Sequence, residues 1–375
     1  MRHKKKVCII HKTSTLDPRS YYKEGRTLGN IGYDVCIIGL YARESSTDGI
    51  RVSGCYKPKG RFSRLFLTNF RIVFRALRES ANVYHINDLD FVPWALFLKL
   101  LTGAKIIYDI HEAYPEYMLI KSYLPRHSRK IVSLLVDRME QTTAKFFDAI
   151  LPNDNYISKG FRHKRNITIF NFPTLDFFEK YNNIPWEDRK YDLFYHGSLP
   201  RYHVEAMMNI AERLNSENVK NLWGIVTNDK STVVWAEEEI MRRRLSASMV
   251  FLPYTDYLEV SKYLSNARIG IIPLPPYRKF MKNIPLKMFE FMGCGMAMVL
   301  SDLPPSRQFI SGEDCAIAVT PDNYDEYAKA IIHLLNDPKK AVEMGSNGKR
   351  LVFERFNWNV EAEKLIRLYA DLTEA

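Results

Sequence analysis

Short, β-branched apolar runs alternate with stretches of helical periodicity along most of the chain. KVCIIH reads as a first strand. A helix then opens at Asp17-Pro18, an N-cap aspartate with proline at the first helical position, and runs to about Asn30. GYDVCIIGL returns to the strand pattern. ANVYHIND and AKIIYDIH repeat it, with PWALFLKLLTG as the helix between them and Gly103 as its stop. FDAILPND and NITIFNFP add two more strands. Apolar runs that alternate with helices in this way predict a parallel sheet covered on both faces.

Around NFPTLDFFEKYNNIPWEDRKYD the pattern lapses into proline, asparagine and charge, as in a linker. It restarts with DLFYHGSL, VKNLWGIVT, MVFLPY, ARIGIIPL, MAMVLS and CAIAVT, each separated by a helical stretch. The chain therefore divides into a Rossmann-like domain over 1–178, a second over 190–356, and an amphipathic closing helix over 357–375 that is expected to pack back on the first domain. In open α/β sheets ligands bind beyond the carboxyl ends of the strands, so two doubly wound domains are expected to face each other across a cleft.

Composition narrows the class. At 375 residues with 46% apolar content, the chain has room for two cores. The most apolar stretch, FVPWALFLKLL, is cut by Lys99 and falls short of the roughly 18 residues of a membrane span. MRHKKKVCIIHK imitates a leader, but its apolar part is too short and no small-residue cleavage site follows. Cys8, Cys36, Cys55, Cys294 and Cys315 are odd in number and lack CxxC spacing, which points to reduced thiols in the cytosol and to neither a disulfide framework nor a zinc site.

The formal charge of +11 is unevenly placed. Residues 1–80 hold 17 Lys and Arg against 6 Asp and Glu, so the whole surplus lies in the first fifth of the chain. Within it, helical periodicity puts Arg64, Arg71, Arg75 and Arg78 near one face and Phe66, Phe70, Val73, Phe74 and Leu77 largely on the other. That helix either covers the sheet or lies on anionic lipid. No nucleic-acid recognition motif accompanies the charge.

The blocks VYHINDLDFVPWALFLKLLTGAKIIYDIHEAYPE and NIPLKMFEFMGCGMAMVLSD, in this order, resemble family 4 glycosyltransferases of the GT-B fold, of the kind that build bacterial surface polysaccharides. The resemblance implies a metal-independent, retaining transfer of a sugar from a nucleotide diphosphate donor, UDP- or GDP-linked, to a hydroxyl, with no cofactor. His111 would reach the donor sugar; Glu112 would orient it or cap the next turn. Glu290 would accept hydrogen bonds from the ribose hydroxyls, and Gly293 and Gly295 would let backbone pass close to its neighbours or to phosphate. An E-x7-E pair is usual in the family, but its first position is Lys282 here. The arginine and lysine that usually follow the opening glycine of the second domain are also changed. Gly197 is kept, and Arg201, with His203 or Lys287, is left to meet the diphosphate. Residues of FLPYTDY are candidates for reading the base.

Asp88-Leu89-Asp90 matches a metal-binding D-x-D, but two serial doubly wound patterns fit the metal-free architecture better, and the pair is expected to cap the helix near Pro93. The implied partners are a nucleotide sugar, a glycan or lipid-linked acceptor and an anionic membrane surface, without nucleic acid, for a cytoplasmic enzyme peripheral to the inner face of the cell membrane. Two alternatives remain: a non-catalytic sugar-nucleotide-binding partner subunit, suggested by the departures, and a GT-B relative with other chemistry, such as a nucleotide-sugar epimerase.

Overall fold

The computed structural model describes residues 4–12, 17–40, 44–55, 66–121, 123–181 and 183–374. They form two compact units, one of residues 1–171 with 358–375 and one of 172–357.

The first unit is built on a seven-stranded sheet in the order β3-β4-β2-β1-β5-β6-β7. Its strands are β1 (Lys6–Ile10), β2 (Asp34–Gly39), β3 (Ser45–Thr47), β4 (Ile50–Gly54), β5 (Val83–Ile86), β6 (Lys105–Ile110) and β7 (Ala149–Pro152). All pairs are parallel except β3 with β4. That hairpin turns through Asp48 and Gly49, both at positive φ, the backbone that an Asp-Gly hairpin turn requires.

Because side chains alternate along a strand, β1 sends Val7 and Ile9 to one face and Cys8 and Ile10 to the other. The first face is covered by Leu28 of α1 (Arg26–Asn30) and by Leu365, Leu368 and Tyr369 of the closing helix. The second face is covered by α2 (Leu67–Glu79), α3 (Val92–Thr102) and α5 (Arg129–Ala144), with α4 (Tyr114–Ile120) packed on α5. All five cysteines are free and buried.

The structure revises three local expectations. Pro18–Gly25 forms wide π-type turns before α1, with Asp17 capping the amides of Arg19 and Ser20. NITIFNFP does not form a full strand; it makes a single parallel bridge between Asn166 and Ile150 of β7, and the Ile167 and Ile169 amides donate to the carbonyls of Ile150 and Pro152. On α2 the buried face is Thr68, Asn69, Ile72, Val73 and Ala76, while Phe66, Phe70 and Phe74 are exposed. Arg75 turns inward to Ser53 and the Gly54 carbonyl. Arg64 lies outside the described residues.

The second unit has six parallel strands in the order β10-β9-β8-β11-β12-β13, namely β8 (Tyr191–His196), β9 (Trp223–Val226), β10 (Met249–Leu252), β11 (Ala267–Ile272), β12 (Ala297–Ser301) and β13 (Ile317–Val319). Around it lie α6 (Arg201–Ser216), α7 (Lys230–Arg242), α8 (Lys287–Gly293), α9 (Tyr324–Asn336) and α10 (Pro338–Glu354). Residues 172–178, which the sequence pattern gives to the first domain, pack here: Phe172 meets Phe289, Phe309 and Phe356, and Phe178 fills the space that a Cβ on Gly293 would occupy. That close approach is the work Gly293 does. The closing helix α11 (Trp358–Glu374) belongs to the first unit, where Trp358 donates to Thr27 and Tyr369 bonds His85. Among the described residues, no helix is long and apolar enough to cross a membrane.

Candidate active site

In each sheet the strand order reverses beside its first strand, between β1 and β5 and between β8 and β11. The carboxyl ends of strands at such a switch point diverge and leave room for a ligand. Both sets of candidate residues lie at these ends.

In the first unit, His11 follows β1, Asn87 and Asp88 follow β5, and His111 follows β6. His111 is held from below: its Nε2 is 2.7 Å from Asp109 Oδ2, and Asn153 Nδ2 donates to its carbonyl at 2.7 Å. Asp109 is fully buried and takes two bonds from Arg19, Nε to Oδ2 at 2.6 Å and Nη2 to Oδ1 at 2.7 Å. Arg19 Nε also donates to Glu24 Oε1 at 2.9 Å, so one guanidinium serves two buried carboxylates. Burial opposes ionisation of both. The Arg19 charge and His111 still hold Asp109 well below the usual carboxylate range, whereas burial and the neighbouring Asp109 charge push Glu24 well above it. Asp109 carries the charge and Glu24 the proton.

His85 lies under the same group, its Nδ1 2.9 Å from the Tyr369 hydroxyl; burial keeps it below the usual imidazole range. Glu24, His85 and Asp109 are the one trio among the described residues whose donor atoms converge as metal ligands would. Arg19 already occupies both carboxylates, so the trio fits an internal ion-pair network better than a cation. His11 stands edge-on to His111 at 5.7 Å between ring centres. Burial works against its charge, but the hydrogen bond and charge of Asp17, with Asp88 and Asp109 behind, raise its pKa to about 9.

Glu112 sits beside His111, just before Ala113, the cap residue of α4. Asp88 and Asp90 do not cap a helix. Asp88 accepts from the Lys12 amide and Asp90 from the Lys12 ammonium, which also donates to Asn69 Oδ1 at 2.9 Å. A buried ammonium takes precedence over helix amides because its desolvation costs more.

In the second unit, β8 ends at His196 and the chain turns through Gly197 at φ +106°, a backbone that favours glycine. A Cβ there would lie 3.7 Å from Lys287 Nζ. Lys287 is the first residue of α8, and its ammonium lies 3.7 Å from the centre of the Tyr195 ring. One turn on, Glu290 Oε2 approaches His196 Nε2 at 3.0 Å. Buried Met288, Phe289, Phe291 and Met292 fix the helix that aims both groups. Burial drives Lys287 down to about 7, and Glu290 only partly opposes the shift.

His203, considered as a phosphate contact, is turned inward. Its Nδ1 meets the Tyr195 hydroxyl at 2.5 Å, and burial together with Lys287 keeps it well below the usual range, so it is neutral. Arg201 opens α6, exposed and stacked on Trp235 at 4.7 Å. Lys282 lies in the half-buried loop before α8. The structure thus gathers Gly197, Lys287 and Glu290, and adds His196 and Tyr195, which the sequence pattern did not single out. Their signal was position alone, directly before Gly197. A depression of about 630 Å³ lined by Arg189, Asp192, Asn221 and Arg268 lies at the opposite, amino ends of β8 and β11; there Arg268 is paired with Asp192 and Arg189 donates to the carbonyls of Ile184 and Ala267.

The two doubly wound units match the GT-B fold. The model of the family described as glycosyl transferases group 1 matches residues 176–351, which span nearly all of the second unit. Sucrose-phosphate synthase of Thermosynechococcus elongatus superposes with a TM-score of 0.77 at 17% identity, covering 99% of this chain and 100% of that one. Anabaena Alr3699/HepE, solved with UDP and glucose, gives 0.74 at 12% identity over 98% and 100%. By sequence, the MMP alpha-(1->4)-mannosyltransferase of Mycolicibacterium hassiacum is 27% identical over 112 residues, 30% of this chain and 26% of that protein. The matched stretches span well under half the length of the curated relatives, 26% and 40%.

Proposed function

We propose that the chain is a retaining glycosyltransferase of the family 4 type that moves a sugar from a nucleotide diphosphate donor to a hydroxyl of a lipid-linked glycan in cell-surface polysaccharide synthesis. The observation that carries the reading is the half-buried side chain of Lys287, whose ammonium lies against Gly197 and Tyr195 with its charge only partly answered by Glu290. A diphosphate supplies the missing anion, and its charge grows as the sugar departs, so the interaction strengthens toward the transition state. Arg201 adds a second cation at the mouth, and Glu290 accepts the ribose hydroxyls. His111 grips the sugar, its ring direction fixed by Asp109. The leaving phosphate oxygen takes the acceptor's proton on the face it vacates; no protein nucleophile, metal or cofactor enters. The acceptor binds the first unit, at a cytoplasmic site peripheral to the membrane.

Thermal stabilisation by a panel of UDP-, GDP- and ADP-linked sugars tests the donor half, because a ligand of the native state raises the midpoint with its affinity. A shift selective for one base and lost in Glu290→Ala supports the reading; no shift with any nucleotide sinks it. Lys282, in place of the first glutamate of the usual pair, favours a second reading as a donor-binding subunit without transfer activity. Donor consumption by the lone protein, followed by product analysis with and without acceptor, separates transfer, epimerisation and binding alone.

A further inference from the structure

The helices that cover one face of the first sheet are apolar on their outer side as well. On α2, Phe70 and Phe74 stand half-exposed with ring centres 4.7 Å apart, beside exposed Arg71 and Arg78. α3, VPWALFLKLLT, is apolar on nearly every side, the mark of a helix buried all round, yet Phe97, Leu100 and Leu101 are exposed and Leu100 reaches 84%. On α5 the outward stripe reads Lys130, Ile131, Leu134, Leu135 and Arg138. The inner sides of all three helices join a single core cluster on the sheet, and α3 packs against both of the others. The three outer stripes therefore share one side of this unit.

On the three helices themselves, no exposed carboxylate interrupts them; at the edge of α2, exposed Glu44 pairs with Arg75. α3 has none; on α2, Glu79 is held by Lys6 at 3.0 Å and Arg51 at 2.8 Å; on α5, Asp137 is half-buried and Glu140 is buried, accepting from the Tyr108 hydroxyl at 2.6 Å.

We propose that this outer face of α2, α3 and α5 docks on the surface of an anionic lipid bilayer. A patch of this extent on a folded unit marks an interaction site. Its composition selects the partner. Leucine and phenylalanine between arginines and lysines match the acyl and headgroup levels of a leaflet. A second copy joined by a two-fold axis would set Arg71, Arg78, Lys130 and Arg138 against the same positive face, where Glu44, already paired with Arg75, is the exposed carboxylate at the edge of α2. The inference rests on the membrane-side acceptor in the reading above and gives it a place. Sequence periodicity raised lipid contact for α2 alone, as one of two readings of that helix.

The test is flotation of the full chain with phosphatidylcholine vesicles with and without phosphatidylglycerol, at low and high salt and with no nucleotide present. The chain should float with the anionic vesicles and detach as salt rises. Leu100→Gln/Leu134→Gln/Leu135→Gln should weaken binding by about tenfold or more at an unchanged thermal midpoint. Arg71→Gln/Lys130→Gln/Arg138→Gln should do the same while removing the salt dependence. The proposal is overturned if the unaltered chain ignores anionic vesicles, if the triple leucine variant floats as well as the parent, or if light scattering shows a dimer that the leucine variant dissolves. Nucleotide stabilisation measured without vesicles reports on the donor site separately, so each reading can fail alone.

Discussion

The two switch points handle charge in opposite ways. In the first unit the buried charges are answered before any ligand arrives: Arg19 serves Asp109 and Glu24, and Asp109 in turn holds His111. In the second, half-buried Lys287 has only Glu290 to answer it, and desolvation lowers its pKa to about 7. A closed network fixes a direction, whereas an unanswered charge waits for a ligand; the first suits positioning and the second suits binding.

The largest effect that tests this contrast is Arg19→Met. It leaves Asp109 buried and uncompensated and should cost about 3–5 kcal/mol of unfolding free energy in denaturant titrations. Adding Asp109→Asn should recover much of the loss, and a single variant as stable as the parent would break the comparison. Asp109→Asn alone should be milder for folding, because Glu24 is free to ionise beside Arg19. It should lower transfer by about 10- to 100-fold with nucleotide affinity unchanged, the signature of a positioning group.

Lys287→Met should do the reverse, keeping or raising stability while nucleoside diphosphate affinity falls by about tenfold at neutral pH. In the parent, only the protonated lysine attracts the anion. Affinity measured by calorimetry should therefore drop as pH rises above about 7, by up to roughly tenfold per unit, and the variant should show a flat profile. The smallest effect belongs to His11. Its pKa is raised in the fold from 6.5 to about 9, so the stability it adds is complete below about 6.5 and lost as pH climbs through 9. His11→Gln should flatten that part of the stability profile.

Much of this was legible in the sequence. The two strand series, the linker and the positions of His111, Gly197 and Glu290 at strand ends or on the helix after β11 follow from local patterns. What was not legible depends on partners far along the chain. Nothing near Arg19 announces Asp109, ninety residues away, and an arginine in a helix reads as a surface residue. The facing of α2 was left open for the same reason: periodicity groups Phe70 and Phe74 on one side without saying what that side meets, and it is Asn69, bonded to the Lys12 ammonium and donating to the Asp90 carbonyl, that lies inward. His203 stands where a phosphate contact was expected and is instead claimed by Tyr195.

The closing helix carries a consequence for how the protein is made. Residues 172–357 are, in chain order, an insertion between the two parts of the first unit. On a ribosome the inserted unit emerges whole, but the face of the first sheet with Val7, Ile9, Val83 and His85 has only the earlier residues, such as Leu28, to cover it until Leu365, Leu368 and Tyr369 follow. Synthesis therefore finishes the second unit before the one that was begun first, and a nascent chain stalled before Trp358 would hold a partly covered sheet to its chaperones.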